Sequence, residues 1–443
     1  MKIQLSDHFT YSKLFRFTLP SIAMMVFTSI YGVVDGYFVS NFAGKTAFAA
    51  INLIMPFVMV LGGMGFMIGT GGTALVSKVL GQRNKATANR YFSMMIEVTL
   101  LLGILLGVLG VVFMEPVARF LKATDEMMAD CVLYGRIVTG FTVTFMLQNV
   151  FQSFLIAAEK PKLGLIATIA AGVTNMVLDA LFVGVFRWGV AGAAVATGLS
   201  QCVGGVFPLI YFLRPNSSLL RFKPAKLEWK PILRACANGS SELMSNVSSS
   251  LVSILYNFQL LRYYGENGVS AYGVLMYVQF IFIAIFIGYS IGCAPVVGFH
   301  YGAENHGELK NMLGKSVLLM GIGGIVLTAL AQGLAEPLAH IFVGYDADLY
   351  ALTVHAFRLF SFTFLLAGFN IFSSSFFTAL NNGGVSAAIS FLRTLVFQCT
   401  CVLILPEVMR VDGIWWSNFF AEIGSFLVSL LFLLGMRKKY RYF

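Results

Sequence analysis

Long apolar runs, separated by short segments rich in charges or in Gly, Pro and Asn, follow one another along the whole chain. A bilayer-spanning helix takes about 20 apolar residues, and each run is close to that length or longer. The runs lack the apolar–polar alternation over about ten residues that is typical of membrane-barrel strands. The pattern therefore predicts an all-α integral membrane protein with twelve spans, numbered here in chain order. Their approximate limits are 14–39, 50–77, 91–114, 132–156, 163–186, 189–213, 235–261, 270–298, 315–335, 352–379, 385–406 and 412–435.

The composition favours the same class of protein. The 443 residues are 58% hydrophobic and 11% charged, whereas a soluble domain carries about 25% charged residues. Most of the 30 Lys and Arg residues fall in segments that a twelve-span count places on the same side of the membrane as the N-terminus. The positive-inside rule then predicts that both termini are cytoplasmic. The net charge of +10 is accordingly expected at the lipid bilayer surface, and no nucleic-acid partner is expected.

The two halves of the chain are repeats of each other. Identical residues recur at a constant offset of 221 positions, and because six is an even number, both halves enter the membrane from the same side. This predicts two six-helix bundles related by a pseudo-twofold axis along the membrane normal. We divide the chain into an N-lobe at 1–213, a cytoplasmic linker at 214–234 and a C-lobe at 235–443. Examples of the repeated residues are Gly44 and Gly265, Gly71 and Gly292, Gly81 and Gly302, and Asn149 and Asn370.

Four polar residues of the N-lobe are predicted to lie at one depth in the membrane. They are Asp35 in span 1, Asn175 and Asp179 in span 5, and Thr197 in span 6. At about 1.5 Å of rise per helical residue, all four fall in the outer half of the bundle, within roughly 10 Å of one another in depth. Their oxygen atoms could coordinate a small hard cation such as Na⁺, or the two carboxylates could share a proton. Either use would make the cluster a coupling-ion switch, and an interhelical hydrogen-bond cluster is the structural alternative.

The C-lobe does not repeat this cluster. At the repeat offset, Tyr256 stands opposite Asp35 and Thr400 stands opposite Asp179. Glu242 lies near the inner end of span 7, where it could meet a cationic substrate, form part of an inner gate, or make an interhelical hydrogen bond. The ion switch is therefore expected in one lobe only.

A substrate cavity between the lobes is expected to be apolar, with aromatic faces and adaptable thioethers that suit flat hydrophobic cations. Besides Glu242, the polar candidates for its wall are Gln148, Asn149, Asn370, Tyr277 and Gln279. Each of these could instead join one helix to another. Arg393 in span 11 and Glu422 in span 12 are deep enough to pair with each other.

Motifs of soluble enzymes are absent from the sequence. It contains no HExxH, no GxSxG and no Walker A loop, and its six Cys and five His residues show no metal-ligand spacing. The protein is therefore predicted not to be an enzyme and to need no cofactor. Without a nucleotide site, transport would draw on an ion gradient or on a partner ATPase.

Several segments resemble the MATE (multidrug and toxic compound extrusion) antiporters. Residues 174–201 resemble the signature of that family's spans 5 and 6, residues 19–44 its first helix, and residues 81–90 and 292–305 the matching segments after spans 2 and 8. The resemblance covers nearly the whole chain, and the most similar branch is the DinF-like bacterial group. It implies a twelve-helix, two-lobed exporter driven by Na⁺ or H⁺, present as a monomer in the bacterial cytoplasmic (inner) membrane.

The resemblance also implies the position of the ion site. The family's N-lobe cation site, for H⁺ or Na⁺, falls on Asp35, Asn175, Asp179 and Thr197, and ion binding near Asp35 would alter span 1. Branches similar to NorM carry acidic residues in spans 7 and 10. This chain has Glu242 in span 7 but no Asp or Glu in span 10, so the resemblance gives little support to a C-lobe ion site.

These observations predict an antiporter that exports hydrophobic, mainly cationic drug-like molecules by alternating access. A lipid-linked oligosaccharide flippase of the same superfamily is the first alternative, but its pyrophosphate needs a cationic cavity, and few Lys or Arg lie inside the spans. A lipid-modifying membrane enzyme would need a nucleophile–base or metal constellation, which is not visible. A non-transporting scaffold would have no use for costly intramembrane acids.

Overall fold

The twelve predicted spans are present in the structure, a computed structural model that describes residues 3–443 without the side chains of Lys45 and Glu266. The described residues fold almost entirely into helices. These are α1 (Tyr11–Phe38), α2 (Lys45–Gly81), α3 (Lys85–Phe120), α4 (Asp125–Gly140), α5 (Thr142–Ala157), α6 (Pro161–Asp179), α7 (Gly189–Leu213), α8 (Trp229–Gly302), α9 (His306–Val343), α10 (Ala347–Phe360), α11 (Phe364–Ala379), α12 (Gly383–Phe391), α13 (Gln398–Met409) and α14 (Asp412–Tyr440).

Several spans consist of more than one helix. Span 4 is α4 with α5, bent by 55°; span 10 is α10 with α11; and span 11 is α12 with α13, joined by a π-helical turn. Spans 7 and 8 are the two parts of α8. Spans 1 and 5 are α1 and α6, each continued by a π-helical turn, and every other span is a single α-helix. Within the described residues, ten helices and the bent pair are long and apolar enough to cross a bilayer. The remaining span is the first part of α8, whose Ser, Asn and Glu residues lower its hydropathy.

One glycine hinge in each lobe separates the first two spans of that lobe. The sequence predicts a loop over 261–270, but α8 instead turns at Gly265, which has φ 64° and ψ −150°. Gly44, at the equivalent position of the N-lobe, has φ 95° and ψ 168°. Only glycine adopts these angles without strain, so the repeated glycine marks a repeated hinge.

The lobes cross closely at the end of the bundle where both chain termini lie. A Cβ on Gly81 would overlap the carbonyl oxygen of Phe299, and a Cβ on Gly302 would overlap that of Lys78. Phe299 and Lys78 are themselves related by the repeat offset, so the crossing of spans 2 and 8 follows the pseudo-twofold axis. Small residues allow helix backbones to approach this closely within a membrane.

The lobes diverge toward the opposite end of the bundle. Ser29 in span 1 donates a hydrogen bond to the carbonyl of Phe280 in span 8 at 3.3 Å. Beyond that level, a Cβ built on Gly32, Gly36 or Gly273 would have no atom within 4 Å. The cleft between the lobes therefore opens away from the termini.

Two extended segments tie each lobe to the other at the closed end. The linker strap, residues 218–228, precedes span 7 of the C-lobe but lies along span 3 of the N-lobe. Its backbone N–H groups at Arg221, Lys223 and Ala225 donate to side-chain oxygens of Asn89, Ser93 and Glu97, at 3.0, 2.8 and 3.2 Å.

The N-terminal strap, residues 3–10, is the counterpart in the other lobe. It precedes span 1, yet the Phe9 N–H donates to Glu308 Oε1 of span 9 at 2.9 Å. The Leu5 N–H donates to Glu159 Oε1 of the N-lobe at 2.9 Å. Both straps therefore join the lobes across the pseudo-twofold axis.

Candidate functional site

Both acids of the N-lobe cluster lie where an α-helix changes to a π-helix. Asp179 is the last residue of α6, and residues 180–185 continue as a π-helical turn. Asp35 is in the last turn of α1, and the Val39 N–H that begins the next π-helical turn points to the carbonyls of both Asp35 and Gly36. Isolated π-helical turns are rare and frequently occur at functional sites.

The structure brings the four predicted ion-site residues together. The Asp35 carboxylate lies beside the Asp179 carboxylate and the Asn175 amide, and Asp179 is completely buried. Five side-chain oxygens here are buried without a hydrogen-bond partner: Asp35 Oδ1, both Oδ atoms of Asp179, Asn175 Oδ1 and Thr197 Oγ1. Buried acceptors without partners are costly, so this site is suited to a bound cation or proton.

Two carboxylates, an amide and a hydroxyl are an oxygen-only ligand set, which suits a hard monovalent or divalent cation. Among the described residues, no group of three or more His, Cys, Asp or Glu side chains could hold a metal. The N-lobe cluster contains only two residues of these types, Asp35 and Asp179, because its other two members are Asn175 and Thr197.

Sequence reasoning missed two tyrosines at the site. Tyr134 of α4 is 1% exposed, and its hydroxyl lies near Thr197 and both carboxylates. Tyr31 of α1 is one turn before Asp35 and contacts Gln148. A tyrosine inside an apolar span is too common to single out, and only the packing of α4 on α7 brings Tyr134 to this site.

Gln148, predicted for the cavity wall, thus lies near the N-lobe acids. Asn149 and Tyr277, predicted for the same wall, are instead engaged in contacts with other helices. Asn149 donates to the carbonyl of Gly62 at 3.0 Å, which joins span 4 to span 2. Tyr277 stacks on Phe342, with ring centroids 6.1 Å apart. These two side chains make helix-to-helix contacts.

The remaining candidates line a cavity of about 350 Å³ inside the C-lobe. Glu242 from span 7, Gln279 from span 8 and Asn370 from span 10 all face it. The lining surface is more apolar than polar, but many hydroxyl groups are distributed over it. The hydroxyl-bearing residues of the wall are Ser245, Ser249, Ser253, Tyr256, Tyr272, Ser290, Ser374, Ser375, Ser390 and Thr394.

Arg393 and Glu422 form the expected pair in one wall of this cavity. Arg393 Nη2 and Nε donate to Glu422 Oε1 at 2.7 and 2.9 Å, and Asn370 Nδ2 donates to Glu422 Oε2 at 2.6 Å. Glu422 is 1% exposed. The positive charge of Arg393 is therefore neutralised within the protein.

Two bundles around a cleft, with a buried acidic site in one and a cavity in the other, are the architecture of a membrane transporter. The family model MatE matches residues 20–181 and residues 243–402, one range in each lobe. The chain belongs to the MatE family, whose members are transporters and not enzymes.

Curated relatives match this chain along nearly its whole length. "Multidrug export protein MepA" of Staphylococcus saprophyticus is 24% identical over 451 residues, with 99% of this chain and 98% of that protein covered. The protein of the same name in Staphylococcus aureus is 22% identical over 432 residues, with 97% and 94% covered.

Solved structures share the fold. A MATE transporter in complex with MaL6 superposes with a TM-score of 0.90 at 21% identity, covering 96% of each chain. The outward-facing conformation of a multidrug resistance MATE family transporter superposes with a TM-score of 0.89 at 22% identity, also covering 96% of each chain. At these identities the match establishes the twelve-helix fold.

Proposed function

We propose that this protein is a cation-coupled antiporter that exports hydrophobic, mainly cationic drugs by alternating access. The observation that carries the proposal is the N-lobe cluster, where Asp35 and Asp179 face each other and five buried oxygens lack a hydrogen-bond partner. A proton or Na⁺ entering from outside would occupy this cluster. The MepA relatives, which are named multidrug export proteins, support drugs as the exported class.

In this mechanism, ion binding is coupled to a change in the lobe that holds the cluster. Asp35 and Asp179 belong to spans 1 and 5, and a cation between them removes the repulsion of two adjacent carboxylates. Span 1 also borders the cleft, where Ser29 contacts span 8. Closing the two acids around an ion would therefore move span 1 and change the space open to a bound drug.

The orientation follows from charge. Arg437, Lys438 and Lys439 end α14 at the same end of the bundle as the N-terminus, and positive charge favours the cytoplasmic side. We therefore place both termini in the cytoplasm and the open end of the cleft outside. The protein would act as a monomer in the bacterial cytoplasmic membrane.

Neutral replacements of the acids test the mechanism. Asp35→Asn and Asp179→Asn should each abolish ethidium transport into inverted vesicles with an imposed ion gradient, which is the direction that corresponds to efflux from cells, while protein levels in the membrane stay normal. Asp125→Asn, at an exposed position of α4, is the matched control and should transport as the wild type does. Full efflux by either cluster variant would refute the proposed coupling site.

The same vesicles separate the two coupling ions. Efflux that responds to an imposed pH difference without Na⁺ assigns H⁺, and efflux that requires a Na⁺ gradient assigns Na⁺. If neither gradient drives drug movement in the wild type, the antiporter proposal fails.

A further inference from the structure

One face of span 7 lines the C-lobe cavity. Glu242, Asn246, Ser249, Ser253 and Tyr256 recur at intervals of three and four residues and all face the cavity, as expected for one side of an α-helix. Glu242 makes no ion pair with any described Lys, Arg or His. Because Arg393 is already paired with Glu422, Glu242 is a carboxyl group of the cavity wall that has no basic partner among the described residues.

The opposite walls contribute acceptors that are also without partners. Asn370 Oδ1, Ser290 Oγ and Gln279 Oε1 are buried and have no hydrogen-bond partner, although all three residues line the cavity. The amide of Asn370 is fixed in orientation, because its Nδ2 donates to both the side chain and the backbone carbonyl of Glu422. Its oxygen therefore stays directed away from that pair.

We propose that this cavity selects cations that carry N–H donors, namely protonated primary and secondary amines, over permanently quaternary cations of the same size. The inference rests on the proposed export function and names its preferred substrate class. An ammonium group can pair with Glu242 and also donate hydrogen bonds to Ser290 Oγ and Asn370 Oδ1. Gln279 is eleven residues from Ser290 along span 8, roughly 16 Å at the helical rise, so its oxygen is left for a polar group elsewhere on the ligand. A trimethylated nitrogen keeps the charge but leaves those oxygens unsatisfied, which is costly in a buried site.

The size of the cavity is appropriate for such a ligand. A water molecule takes up about 30 Å³ in the liquid, so about 350 Å³ is far more than one or two waters occupy. Drug-sized pockets begin at about 300 Å³. A small aromatic amine can therefore enter with its ring against the apolar residues of the wall, such as Ile283 and Ile287.

A matched pair of probes tests the proposal. Naphthylethylammonium and its N,N,N-trimethyl derivative have the same ring and charge but differ in N–H donors. Binding of each to the full-length protein in lipid nanodiscs is measured by calorimetry at a pH where the primary amine is protonated. The wild type should bind the primary ammonium roughly 10-fold to 100-fold more tightly, as expected for lost hydrogen bonds to charged groups. Equal affinities would overturn the proposal.

Two substitutions identify the groups responsible. Glu242→Gln should weaken both probes, because both are cations, whereas Ser290→Ala should weaken only the primary ammonium. Ser373→Ala is the matched control, since Ser373 is buried but outside the cavity wall and its hydroxyl donates to the Phe369 carbonyl at 2.7 Å. If Ser290→Ala and Ser373→Ala behave alike, Ser290 does not recognise the amine and the proposed acceptor set is wrong.

A failed selectivity is distinguishable from a failed export function. Binding in nanodiscs needs no ion gradient, so Asp35→Asn should lose drug efflux and still prefer the primary ammonium. Efflux that persists in the wild type with no preference between the probes would refute the amine selectivity alone. A wild type without gradient-driven efflux would refute the antiporter while leaving the binding result to stand.

Discussion

The N-terminal strap depends on one buried carboxylate. Glu308, at the start of α9, is 6% exposed and accepts hydrogen bonds from the Phe9 N–H at 2.9 Å, His8 Nδ1 at 2.7 Å and Asn311 Nδ2 at 2.7 Å. Lys315 Nζ then binds the Phe9 carbonyl at 2.6 Å. Replacing Glu308 by Ala should therefore loosen the strap, because the Phe9 carbonyl is then its remaining hydrogen-bonded contact here, held by Lys315 and by Asn311 Nδ2 at 3.0 Å.

The magnitude follows from which of these contacts are buried. His8 is 67% exposed, so its ion pair with Glu308 contributes little. The Phe9 N–H and Asn311 lose a charged acceptor in a part-buried site, and a hydrogen bond to a charged group contributes about 1.5–3 kcal/mol. Because the two bonds share one acceptor and are not additive, we expect Glu308→Ala to lower the free energy of unfolding by about 2–4 kcal/mol.

Thermal unfolding in detergent and hydrogen exchange measure the two consequences. Glu308→Ala should lower the midpoint and increase exchange in the peptide that covers residues 3–10. Glu336→Ala is the control on the same helix: its pair with Arg358 is at 2.6 Å, but both side chains are more than half exposed, and such pairs contribute less than about 1 kcal/mol. If both variants shift the midpoint equally, or exchange in the strap is unchanged, then Glu308 does not anchor it.

Three further outcomes are expected. Arg393→Met should lower the free energy of unfolding by about 3–5 kcal/mol, because Glu422 is left as a buried unpaired charge. Adding Glu422→Leu should restore the midpoint of thermal unfolding, and a double variant as unstable as Arg393→Met would contradict this explanation. Gly81→Ala should destabilise the lobe crossing, whereas Gly314→Ala, with open space around it, should unfold at or above the wild-type midpoint. Tyr134→Phe should slow vesicle efflux several-fold at normal membrane levels, and wild-type rates would exclude its hydroxyl from the ion site.

The spans and their pairing could be predicted because they depend on local information. Each span is an apolar run of sufficient length, and the offset that pairs Gly44 with Gly265 in the sequence also pairs two hinges with positive φ. The depth of the N-lobe acids needed only the helical rise and the direction of each span. That is why Asp35 and Asp179 could be proposed as neighbours from the sequence.

Features that depend on packing between distant helices could not be predicted in this way. The bend between α4 and α5 occurs without a proline, and Tyr134 approaches Thr197 through the packing of α4 on α7. The serines of span 7 are the small residues expected at any close helix contact, so the sequence did not indicate that they line a cavity. The straps, likewise, are bound mainly through backbone N–H groups, which every residue except proline carries.

Differences between repeat-related residues explain why ion coupling is proposed for the N-lobe and cation recognition for the C-lobe. Tyr256, which replaces Asp35 at the repeat offset, donates to Asn418 at 3.2 Å and stacks on Tyr272, so its polar atom already has a partner. The deep acid of the C-lobe, Glu422, is likewise paired, with Arg393. The N-lobe acids have no such partner, and a mobile cation is the species that can supply one. Coupling should therefore be lost through substitutions in the N-lobe, whereas substitutions at Glu242 should weaken the binding of cations in general and leave the coupling ion unchanged.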